Sequence, residues 1–141
     1  MSRHSVEVEI PAAPEKVWAV MVDVERWPEW TASVTEVRRL DSGPLAVGSR
    51  ACIRQPRLLP ATWEVTELDE GRRFTWVTRS PGVYVTAEHE ILPAGPGSRV
   101  TLSIGFSGAL GPLVARMTRN LNRRYLRLEA DGLRRRSLEP A

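Results

Sequence analysis

The chain carries few reactive groups. Of its 141 residues one is cysteine, Cys52, and two are histidine, His4 and His89. A lone cysteine cannot close an internal disulfide, which fits a reducing compartment, and a cytoplasmic location is the expectation. No HxxxH, CxxC or two-His-one-carboxylate spacing is present, so neither a zinc or iron site nor a cofactor is expected. No stretch approaches the roughly 20 apolar residues of a membrane span, and no signal-peptide h-region precedes the first strand. No GxGxxG or GK[ST] loop follows a strand; Gly95-Pro96-Gly97 is hairpin-turn chemistry. A Gly-x-Ser-x-Gly elbow is missing too, which argues against Ser/His/Asp nucleophilic catalysis. Lysine is almost absent: of 20 basic residues only Lys16 is not arginine. The arginines are not interleaved with aromatics as single-strand binding favours, so nucleic acid is not an expected partner.

What remains is the material of an ordinary globular domain, 42% hydrophobic and 26% charged. The length fits a single domain spanning 1–141 with its core in about 5–136. The net charge of +3 is uneven. Residues 110–136 hold eight arginines against Glu129 and Asp131, whereas residues 1–109 are slightly acidic. That basic tract reads as a solvated helix face with cations near its C-terminal end. The alternative is a face that contacts a partner or an anionic membrane.

Periodicity gives the elements. Residues 5–10 alternate Val6, Val8 and Ile10 against Ser5, Glu7 and Glu9, the pattern of a half-buried strand. His4 lies before it, in a terminus expected to fray. Pro14 opens a helix at a position where its missing N–H costs nothing. Val17, Trp18, Met21 and Val22 follow at helical spacing, and a second short helix or turn ends at Trp27-Pro28-Glu29-Trp30. Six strand-like segments come next: Val34–Leu40, Val47–Arg54, Thr62–Leu68, Phe74–Arg79, Val83–Leu92 and Arg99–Phe106. Turns such as Asp69-Glu70-Gly71 and Ser80-Pro81-Gly82 divide them, and connections this short require antiparallel hairpins. From Leu110 the period becomes helical for about 25 residues, with Leu110, Leu113, Val114, Met117, Leu121, Tyr125 and Leu128 on one stripe. The fold class is therefore α+β: a seven-stranded curved antiparallel sheet wrapped around a long C-terminal helix, with two short helices between strands one and two.

Strand parity assigns the concave face. Glu88 and Glu90 must face water, which turns Val83, Val85, Ala87, His89 and Ile91 inward. The same argument turns Trp63 and Val65, Phe74, Trp76 and Thr78, and Val100, Leu102, Ile104 and Phe106 inward. In the second hairpin Arg50 and Arg54 share an outer parity with Cys52, leaving Ala51, Ile53 and Gln55 on the inner one. Two polar residues survive on this apolar surface. His89 is either a core histidine with one hydrogen-bonded ring nitrogen or a pocket donor and general acid/base. Gln55, beside Pro56, satisfies loop backbone or contacts a ligand. Trp63 and Trp76 serve equally as core or pocket wall.

The Pro-Ala-Ala-Pro-Glu-Lys-Val-Trp helix start, the Trp27-Pro28-Glu29-Trp30 clasp, Trp63-Glu64-Val65 and the Gly71-to-Trp76 and Gly97-to-Leu102 segments carry a resemblance. Together they are similar to the SRPBCC or START-like helix-grip superfamily, which includes START lipid-transfer domains, polyketide cyclase/dehydrase-like bacterial proteins and the birch-pollen-allergen group. The resemblance spans about Val6 to Leu133. It implies a cavity between sheet and C-terminal helix and a cytoplasmic binding protein for a hydrophobic or amphipathic small molecule such as a lipid, isoprenoid or polyketide. Gln55, Trp63, Phe74, Trp76, Val85, Ala87, His89, Leu102, Ile104, Met117, Leu121 and Tyr125 are the expected ligand contacts. One alternative is a cyclase or dehydratase with His89 as its acid/base, partnered by Gln55, Asn120, Asn122 or Tyr125. Another is an accessory protein that uses its arginine-rich helix. Arg116, Arg119 and Arg123 are candidates for reaching a carboxylate or phosphate at the cavity mouth. No stable membrane insertion is expected, and the chain is read as a monomer or homodimer.

Overall fold

Every strand of the computed structural model, which describes residues 2–140, belongs to one sheet. The strands are β1 (Ser2–Ile10), β2 (Glu36–Arg39), β3 (Arg50–Arg54), β4 (Ala61–Asp69), β5 (Arg73–Ser80), β6 (Val83–Ala94) and β7 (Gly97–Ser107). Their order is β1-β7-β6-β5-β4-β3-β2, antiparallel throughout. Helix α1 (Pro14–Val22) and a 3₁₀ turn (Val24–Glu29) connect β1 to β2, and α2 (Gly111–Met117) and α3 (Arg119–Ser137) follow β7. This is the expected helix-grip architecture. β1 begins earlier than its alternation suggests, and His4 is not frayed but pairs opposite Ile104.

Burial alternates along β3 and β4 as parity requires. Ala51, Ile53, Trp63, Val65, Phe74, Trp76, Ile91, Val100 and Leu102 are all buried on the concave side. Between Val65 and Glu67 the β4–β5 register shifts by one residue. Such a bulge bends the strand and swaps its parity, which is how Leu68 comes to pack against the core. No helix among the described residues is long and apolar enough to cross a membrane.

The sequence stripe assigned to the last helix needs correction. Thr118 leaves helical geometry, with φ −107° and ψ 11°, so two helices stand where one was expected. The break changes which side chains face the sheet. Leu110, Leu113 and Met117 are exposed, Met117 by 77%. Leu121 and Leu128 are half-buried. The buried face of α3 is instead Asn122, Tyr125, Leu126, Ala130, Gly132 and Leu133.

The clasp holds α3 in place. Trp27 donates its indole N–H to Met21 O at 3.0 Å and stacks its ring at a tilt against Trp30 and Trp76. From α3, Arg135 donates to Trp30 O at 2.9 Å and Arg136 pairs with Glu29 at 2.6 Å. Arg134 reaches Glu9 O at 3.3 Å. Trp18 completes the frame by donating to Glu70 at 3.1 Å and meeting Phe74 edge-on. The last arginines of the chain thus tie the helix to its own domain.

Candidate functional site

The concave face and the C-terminal helices do not meet everywhere. Between them lies a cavity of about 210 Å³. Its cause is local: Ala87 of β6 sits opposite Trp76 on one neighbour and Ile104 on the other, so a methyl group stands between two large side chains. Trp63, Trp76, Val85, Leu102, Ile104 and Leu126 make its walls largely apolar. Leu58 and Leu59 of the β3–β4 loop and Val114 and Thr118 at the α2–α3 junction also contribute. Leu59 of that loop is 88% exposed.

His89 lies on the sheet wall, 5% exposed. Its ring stacks on Phe74 at 4.2 Å and nearly parallel, with Trp27 at 5.6 Å and Trp76 at 5.9 Å. Nδ1 lies 3.2 Å from Phe74 O. A carbonyl can only accept, so Nδ1 carries the proton and Nε2 is the bare acceptor. Desolvation, opposed in part by that hydrogen bond, pulls the pKa down to about 4. At neutral pH the imidazole is uncharged, so the acidic imidazolium form is absent, its one N–H proton is held by Phe74 O, and with its pKa so low it is a poor base.

The helix wall carries the other polar groups. Tyr125 donates its hydroxyl to Pro56 O, tying α3 to the β3–β4 loop. Burial raises its pKa above the ordinary tyrosine value, opposed by Arg57 and Arg124. Asn122 donates to Thr118 Oγ1 at 2.8 Å, and Thr118 Oγ1 donates to Val114 O at 2.7 Å, so the side chains span the helix break. One turn beyond Tyr125, the half-buried Glu129 also lines the cavity. Burial alone pushes its carboxyl up to about 8. Among the described residues no cation pairs with it; the neighbouring Arg127 reaches Asp131 instead, at 4.0 Å.

Of the expected contacts, Gln55, Trp63, Trp76, Val85, Ala87, His89, Leu102, Ile104 and Tyr125 all line the cavity. Three do not. Phe74 is fully buried, stacked against its cross-strand neighbour His89, while Met117 beside the helix break at Thr118 is exposed and Leu121 is half-buried outside the lining. Gln55 also serves the loop, donating to Ser33 O at 3.2 Å. Arg116, Arg119 and Arg123 are exposed and lie outside the lining. Asn120 is exposed as well, whereas Asn122 lines the wall. Leu58, Leu59, Val114, Thr118, Leu126 and Glu129 line the cavity without being among the expected contacts, and Glu129 is the ionisable one of these. No cluster of histidine, cysteine or carboxylate groups among the described residues could hold a metal ion.

A curved antiparallel sheet closed over a cavity by a C-terminal helix is the helix-grip fold of START-like and polyketide-cyclase-like domains. The chain belongs to the family described as polyketide cyclase/dehydrase and lipid transport, whose sequence profile matches residues 1–137. Among solved structures it is similar to the ginseng (Panax ginseng) major latex-like protein 151, at 15% identity over 98% of each chain and a TM-score of 0.80. A START superfamily protein from Mycobacterium smegmatis is similar at 18% identity over 96% of each chain, with a TM-score of 0.76. The protein TTHA0849 from Thermus thermophilus is similar at 20% identity over 97% of each chain, with a TM-score of 0.77. No curated protein sequence matches the chain.

Proposed function

We propose that the protein binds a compact hydrophobic or amphipathic molecule in the cavity between sheet and α3. The observation that carries this reading is an apolar space of about 210 Å³ bounded by Trp63, Trp76 and Ile104. The volume bounds the ligand. It falls below the roughly 300 Å³ at which drug-sized pockets begin. A dry apolar cavity of about 150 Å³ admits benzene, so this one suits a molecule of one or two rings better than a full-length acyl chain. Within the lipid, isoprenoid and polyketide range, that favours the smaller cyclic members. Catalysis through His89 has weaker support, since the ring is uncharged at neutral pH and is stacked and hydrogen-bonded as a wall residue.

Filling the cavity tests the reading. In Ala87→Trp the new indole occupies the space between Trp76 and Ile104. Calorimetric titration with diphenylmethane, a two-ring apolar probe, is expected to show binding to the wild type that weakens about tenfold or more in the variant. Circular dichroism should show the fold retained, and Ala87→Phe serves if the indole is too large. A wild type that takes up no diphenylmethane, or a variant that binds it undiminished, overturns the assignment.

A further inference from the structure

The distribution of charge around the cavity narrows the ligand class. The chain has 19 arginines and one lysine, yet none of them lines the cavity. The one acidic side chain that reaches it from the helix side, Glu129, has no ion-pair partner among the described residues. The other titratable groups on the lining are His89, Tyr125 and Glu88. His89 is committed through Nδ1 to Phe74 O, and Tyr125 through its hydroxyl to Pro56 O. Glu88 pairs its carboxylate with Arg3 at 2.5 Å, on the outer side of the sheet. Among the described residues Glu129 is therefore the one titratable side chain of the lining with neither a hydrogen-bond nor an ion-pair partner.

We infer that Glu129, which reaches the cavity with no cation beside it, is the polar anchor of the cavity and donates a hydrogen bond to the carbonyl oxygen of an uncharged ligand. The inference rests on the ligand-binding reading above and adds the chemical class. An anionic ligand such as a fatty acid would bury its carboxylate with no cation to meet it, and burying an unpaired charge is far costlier than burying a carbonyl that accepts one hydrogen bond. The state of the anchor agrees with this role. With its carboxyl pushed up to about 8, Glu129 keeps its proton at neutral pH and can donate.

Four probes that share two phenyl rings separate the cases: benzophenone, diphenylmethane, diphenylacetate and benzhydrylamine. They present a ketone, no polar group, a carboxylate and an ammonium. Titrated at pH 7 against the intact protein, benzophenone is expected to bind about tenfold tighter than diphenylacetate and several-fold tighter than diphenylmethane. Glu129→Leu removes the donor, so benzophenone should lose about tenfold while diphenylmethane loses nothing. Glu129→Gln keeps an N–H donor and should stay within about threefold of wild type for benzophenone. In the wild type, ketone affinity falls as pH rises through about 8, and in Glu129→Gln this step is gone.

Equal affinity for ketone and carboxylate, or a Glu129→Leu variant that still prefers the ketone, overturns the inference. Tightest binding by the amine also overturns it, because Glu129 would then be a counter-ion. The two levels fail separately. If all four probes bind alike and Ala87→Trp removes them, the cavity binds ligands and only the anchor is wrong. If the wild type binds none of them, the cavity reading falls first.

Discussion

Gly132→Ala is expected to lower the melting temperature by about 5 °C or more, although alanine is the better helix former. The position lies inside α3, where glycine costs roughly 1 kcal/mol relative to alanine. The exchange would therefore stabilise a helix on its own. Here the helix presses its backbone on the clasp. A Cβ on residue 132 would stand 3.0 Å from both the carbonyl carbon and the Cε3 of Trp30, and closer still to the Trp30 oxygen. Those atoms cannot step aside cheaply. Trp30 is buried against Trp27, and its carbonyl accepts from Arg135 at 2.9 Å. Overpacking costs typically about 1–3 kcal/mol and more where backbone must move. With the helix gain subtracted, a net loss of about 2 kcal/mol remains, and each such unit lowers Tm by roughly 2–4 °C in a domain of this size. Gly132→Val should be worse, and Asp131→Ala beside it, on the exposed face, should stay within about 0.5 kcal/mol. Thermal melts of the three decide the matter. A Gly132→Ala protein as stable as wild type would mean that the contact with Trp30 does not hold α3 against the sheet.

The same contact marks the boundary of what residues alone reveal. The strands are legible because water is selective: Glu88 and Glu90 cannot face an apolar helix, so Ala87 and His89 must. Turn residues fix the hairpins, and the walls of the cavity derive from those two facts. Phase along the C-terminal helices is not legible. Leu110, Leu113 and Met117 look like a core stripe, yet nothing in a hydrophobic period reveals that Thr118 breaks the helix and rotates the face of α3 beyond it. The face that packs is built from Asn122, Ala130 and Gly132 as much as from leucine, because close approach to the clasp demands small residues there. Glu129 is hidden for a similar reason, since two carboxylates among eight arginines both read as solvated surface. A signal does exist. Tyr125 is placed inward by its period, and four residues further on the same face lies Glu129. The arginines at 134–136 read as part of a solvated face or a partner contact, whereas they fasten the helix to Glu9, Trp30 and Glu29.

Stability against pH should carry the signature of two buried groups pulling in opposite directions. His89 is held near 4 and is ordinarily near 6.5, so between those values the unfolded chain holds a proton that the folded one lacks. Stability due to His89 therefore rises with pH across that window, by about 1.4 kcal/mol per pH unit. Glu129 does the reverse. Its carboxyl is raised from 4.5 to about 8, so in that interval the folded protein holds the extra proton and stability falls as pH rises, at a similar limiting slope. From about pH 4.5 to 6.5 the two slopes oppose each other and flatten the curve. From pH 6.5 to about 8 only the Glu129 slope survives, and the loss amounts to about 1–2 kcal/mol once partial exposure of the side chain is discounted. Glu129→Gln removes that branch. The variant should gain on wild type steadily from about pH 4.5 to 8, losing the alkaline decline and showing instead the His89 rise of about 3 kcal/mol between pH 4 and 6.5. Glu29 and Asp41, both lowered by hydrogen bonds from arginine residues, add a loss below their own pKa values, but identically in both proteins. Urea titrations of wild type and Glu129→Gln at pH 5, 6.5, 8 and 9 measure the difference directly. Parallel stability curves would show that Glu129 ionises as an ordinary surface carboxylate, and a wild type that gains stability between pH 6.5 and 8 would contradict the sign itself.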